Sequence, residues 1–324
     1  MVLQLFLTAV FLVIILFSGV SAWVKQLAIN ISGNFYLQVG IYLTILAGIY
    51  YLLFVGMDFY SEFVLEHRFG LSRQTASGWL KRSIKKGLLS LLLFLVAVEG
   101  LYFFLKHFPN YWWLLAATGW ILLSVVLSKI APVLIIPLFY KCKPLVNESL
   151  KERLLQLSKS CGVDIEQVFQ IELSKETSKA NAAVAGLGAN RRILLGDTLL
   201  KNFSEDEIEA IFAHELGHIR MHHTWKILGF ATVASFVSFF LTHLILEKGV
   251  VILGLEGISD IAGFPFLAVT LMIIGLIFMP IQNGYMRYLE KQADIFVTKY
   301  GKNGQSFISA ITKLSEQNLS NPAP

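Results

Sequence analysis

The sequence predicts a mainly α, polytopic helical membrane protein of about six spans, with an α/β insertion outside the membrane. Three observations lead there. Only 15% of the 324 residues are charged and 55% are hydrophobic, against roughly 25% charged in an ordinary soluble domain. Apolar stretches of about 20 residues, the length a bilayer crossing needs, recur at 3–22, 36–57, 87–105, 112–136, 226–246 and 264–284. The segment 137–225 interrupts that series and carries strand-like runs instead.

In chain order, residues 1–22 read as an uncleaved anchor. Val20-Ser-Ala22 resembles a signal cleavage site, but the stretch lacks a basic leading region. The first four spans make an N-terminal region, 1–136. Its loop 58–86 carries Arg68, Arg73, Lys81, Arg82, Lys85 and Lys86, and the bias of basic residues toward the cytoplasm orients it inward. Six spans put that loop on the same side as 137–225 and the tail after 285, while the opposite side has only Lys25, Lys106 and Lys248. The second region, 137–324, includes the spans 226–246 and 264–284. Val250–Leu255 is too short to cross and reads as re-entrant or interfacial. Glu99, Lys129, His243, Gln282 and Asn283 fall within or at the end of spans, where charged and polar groups face protein or water.

The net charge of +5 is segregated by topology and not gathered in a stripe, so a nucleic-acid partner is excluded and the lipid bilayer is the expected one. Cys142 and Cys161 make neither a disulfide framework nor a paired-cysteine metal site. They read as free thiols facing a reducing compartment. No repeat symmetry relates the two halves, which argues against a transporter.

The chemistry sits just before the fifth span. Ser204 reads as a helix N-cap, and Glu207 closes a capping box. Ile208, Ile211, Phe212 and Leu216 follow as an apolar stripe. On that helix lies His214-Glu-Leu-Gly-His218, an H-E-x-x-H motif. Histidines four apart share a helix face and reach one Zn²⁺, and Glu215 between them is placed to take a proton from the attacking water. The plainer reading is a pair of exposed helix histidines, but they lie away from most of the apolar stripe. A catalytic zinc takes three protein ligands. The better candidate for the third is Glu290, after the sixth span, in Arg287-Tyr-Leu-Glu290-Lys-Gln-Ala-Asp294. Asp294, one turn on, is placed to accept an N–H from a ligand histidine. The competing view of this segment is an amphipathic helix with solvated charges.

The two segments and their spacing resemble the membrane zinc endopeptidases of the type I CAAX prenyl protease family, a gluzincin group. Gly70-Leu-Ser-Arg-Gln-Thr75, Ser178-Lys-Ala-Asn181 through Gly188, Arg191 through Thr198, and Ile311 through Ser320 are similar to further family segments. The resemblance covers about residue 35 to the end. It implies a zincin-like α/β insertion, one Zn²⁺ per chain, and hydrolysis of peptide bonds near a prenylated C-terminal cysteine. It also implies a large water-filled chamber between the helices. Substrate is implied to lie extended along a sheet edge at Asn181, Ala182 and Gly186, with strands at Val168–Leu173 and Arg192–Leu195 around it. Arg287 is implied to lie near the site, stabilising charge or a carboxylate, and His223 to be structural or a proton shuttle. Family members continue into a Ser-His-Pro segment whose histidine helps stabilise the oxyanion. This sequence ends at Asn321-Pro-Ala-Pro324 without it, so either the sequence is a fragment or another group, Arg287 or His223, takes that part. Two alternatives stay open: a heat-shock-type quality-control zinc protease acting on unprenylated membrane proteins, and a non-catalytic polytopic protein with a structural zinc site.

Overall fold

The computed structural model describes residues 2–165, 167–185, 192–300 and 304–319. The first apolar stretch is not one straight span. It forms α1 (Val2–Phe17) and α2 (Val20–Ile31), bent by 68°. The break falls at Gly19, whose φ of +80° suits glycine and ends a right-handed helix. The expected span at 3–22 is corrected accordingly. α3 (Phe35–Phe59) runs through a π-helical turn, Tyr60–Leu65, into α4 (Glu66–Arg68). Next come α5 (Ala76–His107) and α6 (Trp112–Ile130). A second π-helical turn, Ala131–Ile135, leads to α7 (Ile136–Phe139). Pro132 lies at its start, where a missing N–H loosens the ladder.

Beyond β1 (Cys142–Pro144), α8 (Glu148–Ser160) is capped by the Asn147 side chain, which accepts the Leu150 N–H. Three strands follow: β2 (Gln167–Ile171), β3 (Ala182–Ala185) and β4 (Arg192–Gly196). Helices complete the chain: α9 (Asp197–Asn202), α10 (Glu205–Arg220), α11 (His223–Leu253), α12 (Phe264–Tyr300) and α13 (Gly304–Asn318). Val250–Leu253 continues α11 instead of forming a separate interfacial piece, and Gly254, at φ +64°, follows the helix end. Among the described residues, five helical stretches are long and apolar enough to cross a membrane, or six with the bent pair.

The chain packs as two compact units. One comprises residues 1–58, 83–123 and 229–281. Its centre holds Tyr42, Leu43, Tyr102, Leu105 and Trp112. Several polar groups among these helices are partnered, whereas Glu99 Oε2 is buried without a hydrogen-bond partner among the described residues. Trp112 Nε1–H donates to His243 Nδ1 at 3.2 Å, and His243 Nε2 is 3.7 Å from Glu247. Lys25 lies 2.9 Å from Glu256 and 2.9 Å from Asp260.

The other unit comprises residues 59–82, 124–228 and 282–324. Its sheet has the order β1-β2-β4-β3, with β2 and β4 parallel and the outer pairs antiparallel. Ile193, Leu194 and Leu195 are all buried, which explains why β4 reads as an unbroken apolar run. Leu150, Leu154, Leu199, Ile208, Phe212 and Leu216 pack with it in one core. The strand expected at Val168–Leu173 stops at Ile171, because the Asp197 carboxylate takes the Leu173 and Ser174 N–H groups at 2.8 Å each. β1 was not foreseen: three residues ending in proline carry no strand period of their own.

Candidate metal centre

The helix that carries the histidines is fixed at its N-terminal turn. Ser204 Oγ accepts the Glu207 N–H, and the Glu207 carboxylate accepts the Ser204 N–H at 2.9 Å, the expected capping box. Glu207 also takes Ser309 Oγ–H and the Lys313 ammonium from α13, at 2.7 Å each. Burial pushes its carboxyl up, but Lys313, Ser309 and the cap outweigh this and hold it at about 2. The result ties α13 to α10.

On α10, His214 and His218 present their Nε2 atoms 3.1 Å apart. Glu290, on α12, sets Oε2 3.2 Å from the first and 3.5 Å from the second. Three donors within 4.8 Å of one another make a metal-holding group. Tetrahedral zinc with ligands at ~2.0–2.2 Å separates its donors by roughly 3.3–3.6 Å. The observed 3.1, 3.2 and 3.5 Å lie in or within about 0.2 Å of that range, so two imidazoles and a carboxylate fit a zinc ion in both chemistry and spacing.

Each of the two histidines has a polar neighbour at its other nitrogen, by hydrogen-bond geometry for His218 and by proximity alone for His214. His214 Nδ1 lies 3.0 Å from Asp294 Oδ1. His218 Nδ1 lies 2.9 Å from Nδ1 of His223, which is 1% exposed, and His223 Nε2 lies 3.0 Å from Gln292 Oε1. Phe307 stacks on His214, with ring centroids 6.1 Å apart. Burial, then the neighbouring His214, pulls the His218 imidazole below its ordinary value, toward the neutral form a metal ligand needs.

Glu215 faces the same region. Burial raises its carboxyl above the usual value, against the opposing pull of His214 and of the Val184 N–H. That amide belongs to the terminal strand of the sheet. β3 pairs with β4 in the register Ala182↔Leu195 and Val184↔Ile193, and Asn181 C=O accepts the Gly196 N–H at 2.9 Å. In an antiparallel pair such bonds alternate. Ala182 and Val184 therefore direct their backbone groups away from β4, and Val184 meets Glu215. Asn181 is exposed just before this edge. Gly186, Gly188 and Arg191 lie outside the described residues. Arg287 is exposed, one turn before Glu290 on α12.

Gly217 brings the two site helices together. A Cβ there would lie 3.1 Å from Phe296 Cβ and 3.2 Å from Ala293 Cα, so glycine permits the close approach of α10 to α12. Sequence reasoning did not single out Val184, Gln292 or Gly217. Val184 acts through its backbone, which residue type does not mark. Gln292 and Gly217 lie inside the two recognised segments, where position was the available signal.

Residues 144–324 match the sequence profile of peptidase family M48, and residues 1–141 match that of the CAAX prenyl protease N-terminal region, described as five membrane helices. The chain is 30% identical over 320 residues to the human CAAX prenyl protease 1 homolog, covering 81% of this chain and 64% of that one. It is 29% identical over 260 residues to the uncharacterized metalloprotease YhfN of Bacillus subtilis, covering 79% of this chain and 61% of that one. The crystal structure of S. mikatae Ste24p superposes with a TM-score of 0.80 at 29% identity, over 89% of this chain and 71% of that one. The chain thus spans about three-fifths of the length of these curated relatives.

Proposed function

The chain belongs to peptidase family M48, in its CAAX prenyl protease group, and from that premise we propose that it is a membrane zinc endopeptidase acting on prenylated C-terminal peptides. One observation carries the reading: three zinc-type donors converge beside a half-buried glutamate that touches the open edge of a strand. His214, His218 and Glu290 would hold one Zn²⁺ per chain. When bound, it would polarise the scissile carbonyl and lower the pKa of water toward ~7.

The remaining steps belong to this chain's own residues. A peptide in extended form adds to β3, taking main-chain hydrogen bonds from the outward groups of Ala182 with little demand on side chains. Asn181 flanks that edge. Glu215 takes the proton of the attacking water on its carboxylate oxygen and delivers it to the leaving nitrogen as the C–N bond breaks, giving a carboxylate and an amine. Asp294 orients His214. Arg287 supplies positive charge one helical turn from Glu290. The basic loop 58–86 supports a cytoplasmic placement of this face, reached from the bilayer by a peptide with a lipid anchor.

The test uses farnesylated and unmodified quenched-fluorescent peptides with purified, detergent-solubilised protein, with zinc and with chelator. Cleavage confined to the farnesylated peptide and abolished by chelation is the expected result. Equal cleavage of both moves the substrate class to unprenylated membrane proteins. Cleavage that survives complete chelation overturns the metal-dependent reading.

A further inference from the structure

We infer that Gln292 is a positioning residue of the metal centre: through His223, its side-chain oxygen sets the proton order that leaves His218 Nε2 free to bind metal. This rests on the reading of His218 as a zinc ligand. The contacts form one line. His218 Nδ1 is 2.9 Å from His223 Nδ1, His223 Nε2 is 3.0 Å from Gln292 Oε1, and Lys226 Nζ is 3.4 Å from the same oxygen.

A neutral imidazole carries one N–H. With His218 Nε2 bare for the metal, its proton sits on Nδ1 and is donated to His223. His223 Nδ1 must then be bare, which moves its own proton to Nε2 and demands an acceptor there. Gln292 Oε1 is that acceptor. Were the amide turned to present its NH₂ group, His223 would hold its proton on Nδ1, and two N–H groups would face each other across 2.9 Å. Lys226 opposes that turn, because an ammonium only donates and lies against the same atom. His223 is 1% exposed, so water does not readily replace either partner.

Two substitutions separate hydrogen-bond polarity from bulk. Gln292→Met keeps the length and loses the acceptor, whereas Gln292→Glu keeps an acceptor oxygen. Zinc affinity of the purified full chain is measured by chelator competition, alongside kcat on a cleaved peptide. Gln292→Met should weaken zinc binding about 10–100-fold, the range for partners of metal-bound histidines. Gln292→Glu should stay within a few-fold of the wild type. In a His223→Leu background, Gln292→Met should add almost nothing, since it acts through the missing ring. Wild-type affinity in Gln292→Met overturns the inference, as does equal loss in Gln292→Glu or full additivity with His223→Leu. A wild type that binds no zinc instead overturns the parent reading, and this inference with it.

Discussion

Replacing Gly217 by alanine should damage the metal centre more than the fold. The added methyl would meet Phe296 Cβ at 3.1 Å and the backbone Cα of Ala293 at 3.2 Å, where 3.4–4 Å is ordinary contact. Backbone does not swing aside, so α10 and α12 must part by a few tenths of an ångström. Glu290 rides on α12 one turn before Ala293, and its present distances of 3.2 and 3.5 Å to the histidine nitrogens would lengthen toward ~4 Å. Stability changes little, because alanine gains ~1 kcal/mol in helix propensity while overpacking costs about 1–3 kcal/mol. The net is about 0–2 kcal/mol of destabilisation. A shift of that size in a preorganised site should weaken zinc binding and turnover by roughly tenfold. Chelator competition and thermal unfolding on the same preparation measure the two quantities. A variant with wild-type zinc affinity would refute the claim that this helix contact sets the donor spacing.

Other consequences follow from the same geometry. Glu215→Gln should lose about 10²–10⁴-fold in kcat with zinc content unchanged; substantial residual turnover would remove Glu215 from the proton transfer. Asp294→Ala should weaken zinc binding about 10–100-fold by releasing His214, and unchanged affinity would contradict the 3.0 Å contact's role. Glu207 has its carboxyl lowered from 4.5 to about 2, so its stabilisation is present above pH ~4.5 and is lost as pH falls toward 2. The difference in unfolding temperature between wild type and Glu207→Gln should therefore shrink through that window, and a constant difference would count against the ion pair with Lys313. Asn318 brackets Ala180, accepting its N–H at 2.9 Å and donating to its C=O at 3.1 Å. Asn318→Leu should thus loosen the approach to β3 and raise KM several-fold while zinc binding holds; a pure kcat effect would argue against β3 as the substrate edge.

Much of this protein was legible because its physics is periodic. The apolar stretches, the capping box at Ser204 and the four-residue spacing of His214 and His218 follow directly from helix geometry. Glu290 and Asp294 were readable because carboxylates one turn apart stand out in an apolar chain. The kink at Gly19 was not, since hydropathy continues across a residue whose φ is +80°. β1 was missed because a three-residue strand is made by its partner β2. The part of Val184 depends on strand register, and that of Gly217 on which residues of α12 arrive opposite it. Gln292 is invisible to periodicity, because its contribution is the direction of a hydrogen bond three groups away from the metal.

Zinc-edge X-ray absorption on the purified protein reads the donor set itself. One zinc per chain should be bound by two imidazole nitrogens at ~2.0–2.1 Å and one carboxylate oxygen at ~2.0–2.2 Å, with a fourth position held by solvent. Removal of the carboxylate by Glu290→Ala should change that spectrum. A zinc closed by four protein ligands, a spectrum unaffected by Glu290→Ala, or a protein that binds no zinc would contradict this donor set.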